Sequence, residues 1–80
     1  MIIEGRMGYN SENKRYGLLI SDLWEIDGFH CGTPMEYWDR DKEEWIPTRI
    51  EMAWPSQEYY LVDTKLQGED LEGLKIRIEK

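Results

Sequence analysis

The chain has 80 residues and carries 17 acidic against 10 basic side chains, which gives a net charge of −7 at neutral pH. This length fits one small domain, residues 1–80, and leaves little room for a large enzyme cleft, while the negative charge disfavours direct binding to nucleic-acid backbones. A hydrophobic fraction of 40% with 12% aromatic residues excludes a disordered chain.

The single cysteine and the short apolar runs indicate the cellular compartment of the protein. A single cysteine, Cys31, cannot form an internal disulfide, which argues against a disulfide-stapled secreted scaffold and a multi-cysteine zinc site. No apolar run approaches the roughly 18 residues of a membrane-spanning helix, and the first residues lack the long apolar stretch of a secretory signal. We therefore expect a cytoplasmic protein that does not associate with membranes.

The first part of the chain predicts short strands joined by polar turns. The run Ile2–Tyr9, interrupted by two glycines, predicts an edge strand, and the polar segment Asn10–Asn13 predicts a turn. Arg15–Ile20 alternates apolar residues such as Tyr16 and Leu18 with a period of two, which is typical of a strand.

The next segment predicts turns and one short extended piece. We expect Ser21–Glu25 to be a turn between short strands, because Asp27-Gly28, itself a hairpin signal, follows too soon for a helix. Phe29–Cys31 predicts a brief extended piece. It ends at Gly32–Pro34, because proline lacks a backbone N–H and has a fixed φ angle.

The clearest secondary-structure signal is a β-hairpin formed by Met35–Trp38 and Glu44–Met52 across a charged tip. This pairing brings Trp38 and Trp45 opposite each other. Cross-strand aromatic pairs of this kind add up to about 1 kcal/mol.

The longer strand of this hairpin has one face that we expect to lie in the core. The residues of that face are Ile46, Thr48, Ile50 and Met52. Pro47 points the other way and cannot donate a hydrogen bond to a neighbouring strand, so we expect it at a sheet edge or a bulge.

The last part of the chain predicts two further strands and one short helical turn. Trp54–Gln57 turns the chain into a strand over Glu58–Val62, and Leu74–Ile78 alternates strictly between apolar and charged residues. The acidic segment Glu69–Glu72 fits a single 3₁₀ or α turn. Five or six short antiparallel strands therefore predict an all-β fold, a small, partly open barrel of the SH3-like type.

Four segments together resemble a family of small bacterial proteins known only as a domain of unknown function. These segments are His30–Gly32, Trp45–Glu51, Tyr60–Val62 and Leu71–Ile78. The resemblance extends from about Arg15 to Ile78 and implies a compact β-barrel from Gram-positive bacteria, often found near mobile elements. It implies no reaction, since the family has none assigned. The chain departs from the family in a longer aromatic and acidic hairpin tip, Tyr37–Glu44.

No group of residues predicts catalysis or metal binding. His30 and Cys31 are neighbours that point to opposite faces of an extended segment, and they supply two of the four ligands that structural zinc needs. Asp39, Asp41 and Glu43 alternate as calcium ligands do, but the loop lacks the glycine and the final glutamate of an EF-hand. We expect a protein that is not an enzyme and needs no cofactor or metal.

The aromatic residues carry the stronger functional signal. Nine tryptophans and tyrosines are more than one core of this size usually hides, and Trp, Tyr and Arg dominate binding hot spots. The candidate partner-binding residues are Trp38, Trp45, Arg49, Trp54 and Tyr59. Arg49 has two interpretations, an ion pair with Glu51 or a cation–aromatic contact with Trp45.

These features predict a protein-interaction module with an aromatic surface patch and an unidentified protein partner. The alternative is an acidic decoy that occupies the nucleic-acid site of a partner, which requires carboxylates in rows at phosphate-like spacing. The strand Ile2–Tyr9 further predicts a homodimer in which unpaired edge strands join.

Overall fold

The computed structural model describes residues 1–80 and contains seven β-strands and one 3₁₀ turn. The strands are β1 (Ile2–Asn10), β2 (Arg15–Ile20), β3 (Leu23–Ile26), β4 (Pro34–Asp39), β5 (Glu44–Met52), β6 (Tyr59–Leu61) and β7 (Lys75–Glu79). The 3₁₀ turn, Gly68–Leu71, comes shortly before β7. The chain has no helix with the length and apolar character that crossing a membrane requires.

All neighbouring strands pair antiparallel in the order β3-β2-β1-β7-β4-β5-β6, and the sheet curls into an open half barrel. The last strand of the chain therefore lies in the middle of the sheet. Ile2–Arg6 of β1 pairs with Lys75–Glu79 along one side of β7. On the other side Arg77 and Ile76 pair with Glu36 and Tyr37 of β4.

This topology corrects the prediction that Ile2–Tyr9 is an edge strand. β1 pairs with β2 through Arg6–Asn10 on one side and with β7 through Ile2–Arg6 on the other, so it is an interior strand of the sheet. The physical reason is that its second partner lies some seventy residues away in the sequence. No pattern within Ile2–Tyr9 shows that pairing.

The all-β prediction is confirmed, but the sheet has seven strands instead of five or six. The additional strand is β3, because only Ser21 and Asp22 form the turn. Both have positive φ angles, 51° and 63°, as in the tight turns that join hairpin strands. Asp27-Gly28 is not a hairpin turn, because it follows β3 and the next strand, β4, does not pair with β3. Phe29–Cys31 is not a strand either; Phe29 is buried and donates its backbone N–H to the Tyr16 carbonyl at 2.8 Å.

The inner face of the half barrel holds one hydrophobic core. Its buried residues are Met7, Tyr16, Leu18, Phe29, Met35, Ile50, Tyr59, Leu61, Leu71, Ile76 and Ile78. Leu71 belongs to the 3₁₀ turn, which confirms a helical turn in the acidic segment and places its one apolar side chain in the core. None of the four tryptophans is among these residues.

The predicted β4–β5 hairpin is confirmed, with Trp38 directly opposite Trp45. On the predicted core face of β5, Ile50 is fully buried and Met52 packs against the core, while Ile46 and Thr48 are half-buried. Pro47 pairs with Glu36 of β4. On its other side β6 pairs only from Ile50 onward, so Pro47 lies at a local sheet edge, as predicted.

Gly17 marks a close approach between β2 and β3. A Cβ atom at this position would collide with the backbone carbonyl of Ile26 and lie 3.1 Å from Cζ3 of Trp24. Gly17 is paired with Gly8 of β1, and the Trp24 ring lies over both. An indole that covers two facing glycines replaces the side-chain packing that these positions lack.

Gly17→Ala should therefore lower the free energy of unfolding by about 3 kcal/mol, since the neighbouring backbone must move to relieve the collision. Gly32→Ala is the matched control. Gly32 has a positive φ of 89° but open space around it, so the cost there is backbone strain alone, about 1 kcal/mol. Urea denaturation of both variants measures the difference, and equal losses would contradict a close approach at Gly17.

Candidate functional site

The outer face of the sheet, which points away from the core, carries three of the four tryptophans. Side chains alternate between the two faces of a strand. Leu18, Tyr37 and Ile76 point to the core, so their neighbours Leu19, Trp38 and Lys75 point outward. Trp24 and Trp45 lie on the same face because they pair with Leu19 and Trp38. Trp24 is 40% exposed on this face, whereas Trp38 and Trp45 are half-buried.

The strand register places these tryptophans in one line across the sheet. Trp24 is paired with Leu19, Leu19 with Arg6, and Arg6 with Lys75. The Lys75 ammonium group lies 5.5 Å from the ring centre of Trp38 and 5.7 Å from that of Trp45, which continues the line. We call this line the tryptophan row, and it consists of Trp24, Leu19, Arg6, Lys75, Trp38 and Trp45.

At one end of this row, Trp38 and Trp45 form an edge-to-face pair. Their ring centres are 5.4 Å apart and their planes meet at 68°, which confirms the predicted cross-strand contact. The guanidinium carbon of Arg77 lies 4.4 Å from the ring centre of Trp45. Arg77 Nε also donates to the Glu36 carboxylate at 2.7 Å. A guanidinium held by a ring face and a carboxylate is fixed in position before any partner arrives.

The charges of the outer face are paired with one another. Besides Arg77 with Glu36, Lys75 lies 3.7 Å from a Glu4 carboxylate oxygen, and Arg6 contacts Asp22. Next to the tryptophan row, the register aligns Glu4, Arg77, Glu36 and Pro47 across four strands. The outer face therefore alternates cations with carboxylates instead of presenting one sign of charge.

Arg49 forms the ion pair with Glu51, which is the first of the two contacts predicted for it. Its Nε donates to Glu51 at 3.0 Å, and Arg77 instead of Arg49 covers the ring of Trp45. The spacing along the strand explains this difference. Residues four apart in a strand are separated by about 13 Å, whereas Arg77 reaches Trp45 across the neighbouring strands.

The five predicted site residues do not form one patch. Trp38 and Trp45 lie together in the tryptophan row, and Arg49 shares their face further along β5. Trp54 is 75% exposed in the turn between β5 and β6, away from the row. Tyr59 lies in the core and is 8% exposed.

Sequence reasoning missed the contribution of β7 to the outer face. The alternation in Leu74–Ile78 does show that Lys75 and Arg77 share the face opposite Ile76. What it cannot show is that this strand lies beside β4, where both cations meet the tryptophan pair. Trp24 was not among the five predicted site residues, and β3, the strand that carries it, was predicted as a turn.

The remaining candidates of the sequence are His30, Cys31 and the carboxylates of the hairpin tip. The imidazole Nδ1 of His30 lies 3.0 Å from a guanidinium nitrogen of Arg15, and Cys31 is an exposed free thiol in a turn. No three side chains of the His, Cys, Asp or Glu type converge as metal ligands do.

Comparison with known proteins places the chain in a family. The model of the domain of unknown function DUF5348 matches residues 5–78. The chain belongs to this family. A crystal structure of a protein from Ruminococcus gnavus, solved as a structural-genomics target, is similar to the DUF5348 domain described here at 31% identity, with a TM-score of 0.75. The match covers 95% of this chain and 100% of that one. No protein with a curated description matches significantly.

The stacking of Arg77 on Trp45 makes a measurable energetic prediction. A double-mutant cycle with Trp45→Ala and Arg77→Met should give a coupling energy of about 1 kcal/mol in urea denaturation, because a partly buried cation–aromatic contact has that magnitude. The matched cycle of Trp54→Ala with Arg77→Met should give none, since Trp54 is exposed and lies elsewhere. Equal coupling in the two cycles would contradict the contact.

Proposed function

We propose that this DUF5348 domain is a non-enzymatic protein-interaction module that binds its partner with the tryptophan row. The observation that carries the proposal is that none of the four tryptophans is part of the core. Methionine, leucine, isoleucine, phenylalanine and tyrosine side chains fill the half barrel without them. Three tryptophans are therefore aligned on the opposite face, where they add apolar area outside the core.

The pair Trp38–Trp45 with Arg77 is the centre of the proposed binding face. Tryptophan and arginine are the residues most enriched among binding hot spots. The two rings hold each other edge to face, and Arg77 is held by Trp45 and Glu36. Side chains that are already immobilised lose less conformational entropy when a partner binds.

The paired charges support burial of this face in an interface. An unpaired charge loses its hydration when a partner covers it, which costs several kcal/mol. On the outer face Glu4, Glu36 and Asp22 already accompany the three cations. The partner surface that fits best is therefore apolar at its centre, with polar groups at the rim instead of a strong charge of one sign.

The alternative function is an acidic decoy for a DNA- or RNA-binding protein. It needs carboxylates in an uninterrupted row, as phosphates are spaced along a strand. In the row beside the tryptophans, Arg77 separates Glu4 from Glu36. The net charge of −7 supports the decoy, whereas this alternation favours the interaction module.

Further parts of the proposal concern architecture and setting. We propose a relation to the SH3-like barrels, supported by the small antiparallel sheet and the 3₁₀ turn before the last strand. The family resemblance supports a Gram-positive bacterial source near mobile elements. A cytoplasmic location is supported by the single free cysteine. A homodimer through strand pairing would use β3, whose outer edge pairs with no other strand.

An affinity capture from a Gram-positive lysate tests the function. The baits are the wild-type domain, a Trp38→Ala, Trp45→Ala double variant and Trp54→Ala, each confirmed as folded by circular dichroism. We expect a specific protein that binds the wild type and Trp54→Ala but is lost, at least tenfold in yield, from the double variant. The exposed Trp54 controls for loss of a tryptophan outside the row.

Two other results would contradict the interaction module. A protein retained equally by all three baits would show that the tryptophan row is not the binding face. A basic nucleic-acid-binding protein that is retained by all baits and displaced by added DNA or by salt would favour the decoy, because charge contacts weaken with ionic strength.

A further inference from the structure

A recess opens on the inner side of the half barrel, away from the tryptophan row. It has a volume of about 350 Å³, at the small end of the range for ligand pockets. Its walls come from β1, β2, β5, β6, the 3₁₀ turn and the loops that contain Lys14 and Glu58. We call it the tyrosine recess after Tyr9, Tyr16 and Tyr59, which line it together with Glu58 and Lys14.

Three tyrosine rings form the walls. The ring centres of Tyr9 and Tyr16 are 5.2 Å apart with planes at 65°, and those of Tyr16 and Tyr59 are 5.9 Å apart with planes at 81°. Successive rings are therefore nearly perpendicular, so their faces turn in different directions around the recess. Aromatic faces carry negative partial charge and attract cations, and sites that bind ammonium ligands are built from several such faces.

Two polar groups in the recess have no partner within the chain. The Tyr16 hydroxyl donates to the Gly68 carbonyl at 2.9 Å, whereas the Tyr59 hydroxyl makes no hydrogen bond within the chain and is open to solvent. The Glu58 carboxylate forms no ion pair, and its carbon lies 3.0 Å from the position that a Cβ on Gly68 would occupy. Both groups can accept hydrogen bonds.

The surrounding charges favour a cation over an anion. Burial raises the pKa of Tyr16 above its usual value, and the carboxylates of Glu72, Glu69 and Glu58 raise it further. Two cations lie nearby as well: Lys14 lines the recess, and Arg15 lies near Tyr59, since burial raises the pKa of Tyr59 and the Arg15 guanidinium lowers it. The three carboxylates outnumber these two cations, and Glu58 is the carboxylate that lines the recess and can meet an ammonium group.

We propose that the tyrosine recess binds an organic ammonium group, with its charge against the tyrosine ring faces and its N–H groups donating to Glu58 and to the Tyr59 hydroxyl. A lysine side chain of a partner and a free alkylamine share this chemistry. The proposal is independent of the tryptophan row, because none of the residues of that row lines the recess.

The test is an NMR titration of the ¹⁵N-labelled domain with butylammonium chloride at constant ionic strength. We expect saturable shifts in residues around the recess, with a dissociation constant near the millimolar range, about what one ammonium group provides. The neutral analogue 1-butanol should produce no saturable shifts, since it has the same chain without the charge.

Four variants sharpen the test. Tyr9→Ala removes the most exposed ring and Glu58→Gln removes the counter-ion, so each should weaken binding about three- to fivefold. Lys14→Gln removes the competing cation on the rim and should strengthen binding. Trp45→Ala should leave it unchanged, which separates a failure of this proposal from a failure of the tryptophan row. Tyr9 is 45% exposed, so its loss should leave the domain folded.

Three results would overturn the proposal: no saturable shifts with butylammonium, equal binding of 1-butanol, or the same affinity in folded Tyr9→Ala. If butylammonium binds as expected, a blocked Gly-Lys-Gly peptide distinguishes the two sources. Binding of the peptide about tenfold tighter than butylammonium identifies a lysine side chain of a protein. Equal or weaker binding of the peptide identifies a free alkylamine.

Discussion

The insertion of β7 between β1 and β4 is the constraint on which the rest of the structure depends. Without it, β1–β3 and β4–β6 are two separate three-stranded units, because no other strand pairing joins them. β7 joins the two units into one sheet. Its residues Ile76 and Ile78 point into the core, while Lys75 and Arg77 point to the outer face. One five-residue strand therefore supplies the centre of the core and the cations that meet Trp38 and Trp45. β7 therefore couples the stability of the fold to the geometry of the candidate binding face.

The features that sequence reasoning predicted correctly are local ones. The period of two in Arg15–Ile20 and Leu74–Ile78, and the pairing of Trp38 with Trp45, follow from residues close in the chain. The features that it missed depend on strand partners that lie far apart in the sequence, or on turns formed by unusual residues. The pairing of β1 with β7 leaves no trace within β1, so its interior position was unpredictable. Ser21 and Asp22 form the β2–β3 turn with positive φ without the expected glycine, which concealed β3 and with it the place of Trp24. For the same reason Arg49 was the one cation considered beside Trp45, since proximity in sequence was the only distance available.

The distribution of charge gives the two candidate sites different chemistries. On the outer face, Arg6, Arg49, Lys75 and Arg77 each contact one carboxylate, those of Asp22, Glu51, Glu4 and Glu36 respectively. Near the tyrosine recess, Glu58, Glu69 and Glu72 take part in none of the salt bridges of the protein. A neutral face with immobilised aromatic rings favours burial against a protein surface. A negative recess with aromatic walls favours a small cation.

Both sites lie within the region that defines the family, since the DUF5348 model spans residues 5–78. They differ in how they relate to folding. The tyrosine recess is built partly from core residues, because Tyr16 and Tyr59 are buried and their rings pack against each other. Substitution there changes the core together with the recess. The tryptophans lie outside the core, although Trp24 covers Gly8 and Gly17. Substitution of Trp38 or Trp45 therefore disturbs the core less than substitution of Tyr16 or Tyr59, so the proposed role of the outer face can be tested while the half barrel stays folded.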